Sequence, residues 1–284
     1  MISTLYSTDP AMTATGLAML ALFCLFALGI PLDRRMVTGA PVWLKPTKFA
    51  LSIATYLLSL AFVEGYVTVW PGRITFAATA TTALLMLEMV LLVFQAARGV
   101  PSHFNTATPI DSVIYRMMGL AIAAVWAASV VFAAALWVQK FDDEILGTAL
   151  RLGMTITVLG SASGGAMTSP TSRQLAEARE TGRLRVTGAH TVGGPDGGPG
   201  LPFTNWSTGH GDLRIAHFVG LHAMQVIPLL ALLLRRAFGD STTLPLVWIG
   251  SAAYLVLFLL LGAQAYRGVP LVRFLTPDRS VAPQ

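Results

Sequence analysis

Gly211-Asp212-Leu213-Arg214-Ile215-Ala216-His217-Phe218-Val219-Gly220-Leu221-His222-Ala223-Met224-Gln225-Val226-Ile227-Pro228 runs directly into Leu229-Leu-Ala-Leu-Leu-Leu234, so an apolar stretch of membrane-spanning length opens with two histidines and a glutamine. A helix crossing the hydrocarbon core needs about 20 mostly apolar residues. Polar side chains at that depth face protein or a water-filled cavity rather than lipid. The stretch therefore fixes both the class of the molecule, a helical membrane protein, and the neighbourhood in which a site should be sought.

The rest of the chain agrees. Its 284 residues are 54% hydrophobic and only 12% charged, with a mean hydropathy of +0.66; soluble domains are about 45–50% apolar. Seven segments have the length and composition of spans: about 11–31, 47–67, 74–97, 112–138, 147–166, 213–236 and 244–266. The expected fold is all-α, a single seven-helix transmembrane domain with a long Gly/Pro-rich loop over 167–212. The fifth segment carries Gly160, Gly164 and Gly165 with several Ser and Thr, which suits close helix packing more than lipid contact.

The net charge of +5 does not point to nucleic acid, because the basic residues lie between apolar segments and form no stripe. Alternating the connections puts Arg73, Lys140, Arg151, Arg235 and Arg236 with the N-terminus, and all other basic residues, Arg273 and Arg279 included, on the opposite side. By the positive-inside rule that richer side is cytoplasmic, giving N-terminus out, C-terminus in, and a bacterial inner membrane as the location. Every sequence-rich connection falls there. The lone Cys24 lies in the first span and forms no internal disulfide.

An internal echo joins the third and seventh spans. Gln95-Ala-Ala-Arg98-Gly99-Val100-Pro101 and Gln264-Ala-Tyr-Arg267-Gly268-Val269-Pro270 differ only at Ala97 and Tyr266, and the same offset sets Lys48-Phe49 on His217-Phe218 and Lys45 on Arg214. One reading is a parallel three-plus-one-plus-three repeat, a plan used by some transporters. The other is a helix stop used twice: a cation at the C-terminal dipole, a glycine to reverse the chain and a proline to prevent continuation.

Depth along a helix, at 1.5 Å per residue, puts Glu88 of the third span and His222 of the sixth each about 13 Å from the membrane surface. The expected site is this carboxylate and imidazole with Gln225 one turn from His222, either relaying protons and anchoring substrate or joining two helices structurally. His217 is shallower and turned by about 140° from His222, so the two do not chelate one ion. His217 could instead face His103 in Arg98-Gly-Val-Pro-Ser-His103-Phe-Asn105, with Arg116 close by; two histidines from separate elements are what haem or a metal would need, whereas interfacial histidines satisfied by backbone or headgroups are the plainer reading.

Lys45 and Lys48 flank Pro46 after Trp43, as membrane anchors or as an anion site at a helix N-terminus. Between 172 and 185 the long loop reads as a surface amphipathic helix. Its second half, Gly188 to Ser207, is dense in glycine and proline but ends in Leu201, Pro202, Phe203 and Trp206, which favours a cap over the cytoplasmic mouth rather than a linker. Asp212 is placed to cap the sixth span.

The runs Trp43-Leu-Lys-Pro-Thr-Lys-Phe49, Arg98 to Asn105, Gly198-Pro-Gly-Leu-Pro-Phe-Thr-Asn-Trp-Ser207 and Gly211 to Gln225 together resemble a family of bacterial multi-pass membrane proteins to which no activity is attached, so the resemblance implies no chemistry. The leading expectation is a small-solute or proton-coupled carrier with its polar site in the cytoplasmic half and no cofactor. A membrane redox protein with histidine-ligated haem or metal, and a non-catalytic sensor or assembly factor, are the alternatives. Lipid and a small solute are the expected partners.

Overall fold

The structure, a computed structural model, describes residues 2–272; Arg273 and Arg279, used above for orientation, lie outside the described residues. A short helix α1 (Ile2–Thr8), which hydropathy did not anticipate, precedes α2 (Pro10–Leu32). Asp9 caps α2 by accepting from the Met12 N–H at 2.8 Å, and Pro10 starts the helix where its missing N–H costs nothing. A two-stranded hairpin, β1 (Met36–Val37) and β2 (Ala40–Pro41), leads into α3 (Leu44–Glu64). Then follow α4 (Pro71–Ala97), α5 (Pro109–Val138) and α6 (Glu144–Ser163), the last running into a 3-10 turn, Gly164–Thr168. The surface helix α7 (Ser172–Thr181) begins with a capping box made by Thr171 and Gln174. Beyond it come β3 (Thr191–Val192), its antiparallel partner β4 (Gly211–Asp212), and the helices α8 (Leu213–Leu221), α9 (Ala223–Phe238) and α10 (Asp240–Tyr266).

The protein is a multi-pass helical membrane protein. Six helical segments, α2, α3, α4, α5, the one beginning with α6, and α10, are long and apolar enough to cross a membrane, and the α8–α9 pair makes a seventh if its two parts count as one span. Large apolar side chains such as Leu28, Phe76, Val90, Leu120, Ile249 and Leu260 are exposed around the helices, as a surface solvated by lipid requires.

One expectation is corrected here. The segment 213–236 is not one helix: it breaks at His222 and bends by 51°. The break does not come from Pro228, which stays inside α9. It comes from α6, whose Thr157 hydroxyl donates to Leu221 O (3.3 Å) and accepts from the Met224 N–H (2.9 Å). A side chain inserted into the backbone ladder in this way is a recognised cause of a helix kink. Close approach makes it possible: a Cβ on Gly160 would land on the Gly220 backbone, so only glycines allow the two helices to meet.

α2, α3 and α4 pack on one another, α6, α8, α9 and α10 pack on one another, and α5 bridges α4 to α6. The ends of α4 and α10 share one C-cap. Gly99 (φ 70°) and Gly268 (φ 71°) take the left-handed conformation, and Val100 and Val269 N–H donate back to Gln95 O and Gln264 O. The densest core, with Met12, Leu57, Leu60, Phe132, Leu136 and Met154 all buried, lies toward the bundle end away from the long loop. The other end is hollow.

Candidate functional site

The hollow is a cavity of about 1180 Å³ bounded by the β1–β2 hairpin, the start of α3, the 100–105 connection and the long loop. Local rules position each wall. Arg35 pairs with Asp33 (2.7 Å) and donates to Ala97 O (2.8 Å), pinning the hairpin to the end of α4. Trp43 stacks on Phe26 (5.6 Å between ring centres) and donates to Asp33 (2.9 Å), which sets the entry into α3.

Asp111 at the start of α5 gathers Arg98 (2.7 Å), Gln95 (3.0 Å) and Thr108 (2.6 Å). The connection between α4 and α5 is thereby held at both ends, and it folds inward, burying Ser102, Phe104 and Asn105. Asn105 braces it, donating to Pro101 O (3.2 Å) and accepting from the Ala107 N–H (3.1 Å).

The inward fold brings His103 Nε2 to 3.4 Å from Glu88 Oε1. Glu88 is 0% exposed and neither carboxylate oxygen has a hydrogen-bond partner. Ser102 Oγ lies 3.0 Å from the other imidazole nitrogen, Nδ1. A neutral imidazole that accepts from Ser102 carries its proton on the nitrogen facing Glu88, close to the carboxylate but not aligned for a hydrogen bond. Burial, reinforced by the Lys45 and His190 charges, holds His103 well below the ordinary histidine range, which favours that neutral form.

Glycine and proline do not leave the long loop irregular. Gln174 donates to Gly188 O (2.8 Å) and accepts from its N–H (3.1 Å), and the Thr106 N–H donates to Arg185 O (2.9 Å) and the Thr187 N–H to Phe104 O (2.9 Å). Asp196 then closes a tight knot: it accepts from the backbone N–H of His190 (3.1 Å) and Thr191 (2.9 Å) and from His190 Nδ1 (2.8 Å). Burial opposes ionisation of Asp196, but these bonds outweigh it and hold the carboxyl below its ordinary range. Burial likewise lowers His190, against the opposing pull of Asp196.

The loop is anchored to the helices by two cations holding consecutive carbonyls. Lys48 donates to Thr204 O (2.8 Å) and Arg214 to Asn205 O (2.5 Å). Arg214 also pairs with the buried Asp212 (2.5 Å), which caps α8 and accepts from the Ser207 N–H (2.7 Å). Gly39 (φ 71°) sits so close to the Gly197 carbonyl that no side chain fits between hairpin and loop.

The expected pairing of Glu88 with His222 is not what the fold makes, because the ion partner within reach of Glu88 is His103. His222 packs against Phe218 (4.3 Å between ring centres), which in turn meets Trp206 (5.5 Å). Gln225 donates to Ser59 on α3 (3.0 Å). Matched depth did not imply a matched helix face. His217 does not meet His103 either; its Nδ1 lies 2.8 Å from Gly160 O.

Arg116 is exposed on α5, while His103, Asn105 and Lys48 line the cavity. Four histidines are thus engaged separately, and among the described residues no group of three His, Cys, Asp or Glu is placed to hold a metal ion. Sequence reading missed His190, Asp196 and Ser102 as site residues. The His190-x5-Asp196 spacing was the available signal, but Pro195-Asp196-Gly197 reads first as a turn.

No protein-family model, curated protein or solved structure matches the chain.

Proposed function

We propose that the protein is a proton-coupled carrier of a small solute, with the solute bound in the loop-side cavity and protons passed between that cavity and Glu88 through His103. The observation that carries this reading is the Glu88–His103–Ser102 chain. A carboxylate about 13 Å into its helix, without a hydrogen bond to either oxygen, has a cavity-lining imidazole between it and the mouth. Burying such a carboxylate without partners is unfavourable, so its retention needs a reason other than stability. An imidazole that can take a proton on one nitrogen and release one from the other is the natural conductor.

Within this reading the loop side is cytoplasmic, by the distribution of Arg and Lys, in a bacterial inner membrane with the N-terminus outside. The two groups of packed helices are then a parallel repeat, with α5 as the linker and the cavity beside the C-cap of α4.

The test is solute-driven proton flux into liposomes carrying the purified chain and an internal pH dye, with glucose, alanine, succinate and inorganic phosphate as the solutes. Glu88→Gln and His103→Ala should each lower flux by about a hundredfold or more while the protein stays folded. Flux unchanged in both variants would overturn the proposal.

A further inference from the structure

The charges around the cavity do not balance. At its rim Arg173 and Glu177, one of each sign, lie four residues apart on α7 and offset each other. Deeper in, Arg214 is matched by Asp212, and Asp196 is committed to His190 and two backbone N–H groups. Glu88 stands behind His103 and does not line the cavity. That leaves Lys45 and Lys48, one turn apart on α3 and both lining the cavity.

Lys48 has one hydrogen bond, to Thr204 O (2.8 Å). Lys45 makes no hydrogen bond or ion pair among the described residues; its Nζ lies over the Phe49 ring, 5.7 Å from the centre, and Glu88 and Asp196 act on its charge only from beyond ion-pair distance. A half-buried ammonium without a contacting counter-ion is unfavourable unless something else supplies the contact. Part of the remaining wall is apolar, with Val42, Leu44, Phe49 and Leu92, and part is polar, with Asn105 and Gln174. Polar anchors converging on an apolar wall are the make-up of a site for a small organic molecule.

We infer that the cavity binds an organic anion, its carboxylate or phosphate held by Lys45 and Lys48 and its apolar body laid along Val42, Leu44, Phe49 and Leu92. This rests on the reading of the cavity as a solute site and names the class of solute. Lysine is a point charge with rotatable donors, so the site accepts either head group and selects by charge before shape. The same chemistry could be presented by a soluble metabolite or by the head group of an anionic lipid reaching in from the membrane surface.

The experiment uses the full chain in phosphatidylcholine nanodiscs, titrated by calorimetry with hexanoate, hexyl phosphate and the uncharged isostere hexanamide. Hexanoate or hexyl phosphate should bind saturably and hexanamide about tenfold or more weaker. Lys45→Gln should weaken the anion by about tenfold or more, Lys45→Arg should restore most of the loss, and Lys140→Gln, remote from the cavity lining, should leave it unchanged. Equal affinity for hexanamide, undiminished binding to folded Lys45→Gln, or no binding of either anion overturns the inference.

Repeating the titration in nanodiscs containing phosphatidylglycerol separates the two sources. Competition that is lost in Lys45→Gln assigns the site to a lipid head group, and unaltered affinity assigns it to a soluble anion. Anion binding without proton flux overturns the carrier reading alone; flux with no anion binding overturns this inference alone.

Discussion

At the bundle end away from the long loop, Arg235 donates to Asp143 (2.6 Å) and to Asp240 (2.7 Å), and Arg151 lies 3.6 Å from Glu144. At the loop end Lys45 faces a cavity and forms no ion pair, with Glu88 and Asp196 acting on its charge only from a distance, Lys48 is tied to a carbonyl, and neither oxygen of Glu88 has a hydrogen bond. Beneath the first set of charges the core is closed, with Leu57, Leu60, Phe132 and Leu136 packed together; beneath the second it is open. Ion pairing alone does not separate the two ends, since Arg35–Asp33, Arg98–Asp111 and Arg214–Asp212 are paired at the loop end as well. Where the fold holds cations and a carboxylate apart at the edge of a cavity, the balance is left to something that enters it.

The largest effect is expected where α6 and α8 meet, in the loop-side half of the bundle. Gly160→Leu drives a side chain into the Gly220 backbone, where no rotamer relieves the clash. A loss above about 3 kcal/mol, or no folded protein, should follow. Gly72→Ala, near the start of α4 at the opposite end with open space around its Cβ, should leave stability unchanged or slightly raised. Thermal unfolding of both variants in detergent checks this, and equal tolerance would show that the helix approach is not tight.

The loop that roofs the cavity should be the acid-sensitive part of the molecule. His103, near Glu88, Lys45 and His190, and His190, near Asp196, Lys45 and Arg214, are both held below the ordinary histidine value of 6.5. Below about pH 6.5 the unfolded chain therefore takes up protons that the folded chain refuses, and stability falls as pH falls. Asp196, held below its ordinary 3.8, adds a further loss as pH falls beneath that value. A change in melting temperature between about pH 7 and 5 that is less destabilising in His190→Gln than in the unaltered protein is the expected result. Asp196→Asn should cost about 1–3 kcal/mol at neutral pH by loosening the bonds from His190 and Thr191. The same pH profile in His190→Gln and the unaltered protein would mean that His190 is not buried as described.

These contrasts also show what a one-dimensional reading reaches. Six apolar helices of spanning length were legible because hydropathy and length are properties of a segment by itself, and the caps at Asp212 and at Gly99 and Gly268 were legible because they are local. The break at His222 was not, since its cause is Thr157 on another helix. Pairing Glu88 with His222 by depth failed for a similar reason. Depth fixes height along the membrane normal but not the direction in which a side chain faces, and His103 reached Glu88 from a connection whose inward fold is imposed by Asp111 and by the long loop. Lys45 and Lys48 were visible in the sequence. That neither forms an ion pair was not, because it depends on which acids the folded chain has already committed.

The smallest effect belongs to the closed end and tests the other half of the comparison. Arg235 and Asp143 are 39% and 37% exposed, so water screens their attraction and the pair is worth about 0–1 kcal/mol. Arg235→Ala should lower the melting temperature by no more than a few degrees, with Asp240 left to solvent and Asp143 still capping α6 through the Ile145 and Leu146 N–H groups. It should leave anion binding and proton flux at the loop end untouched, because no charge there depends on it. If Arg235→Ala weakened binding in the cavity, the two ends would be coupled through the bundle, and the separation of a stabilising end from a working end would have to be given up.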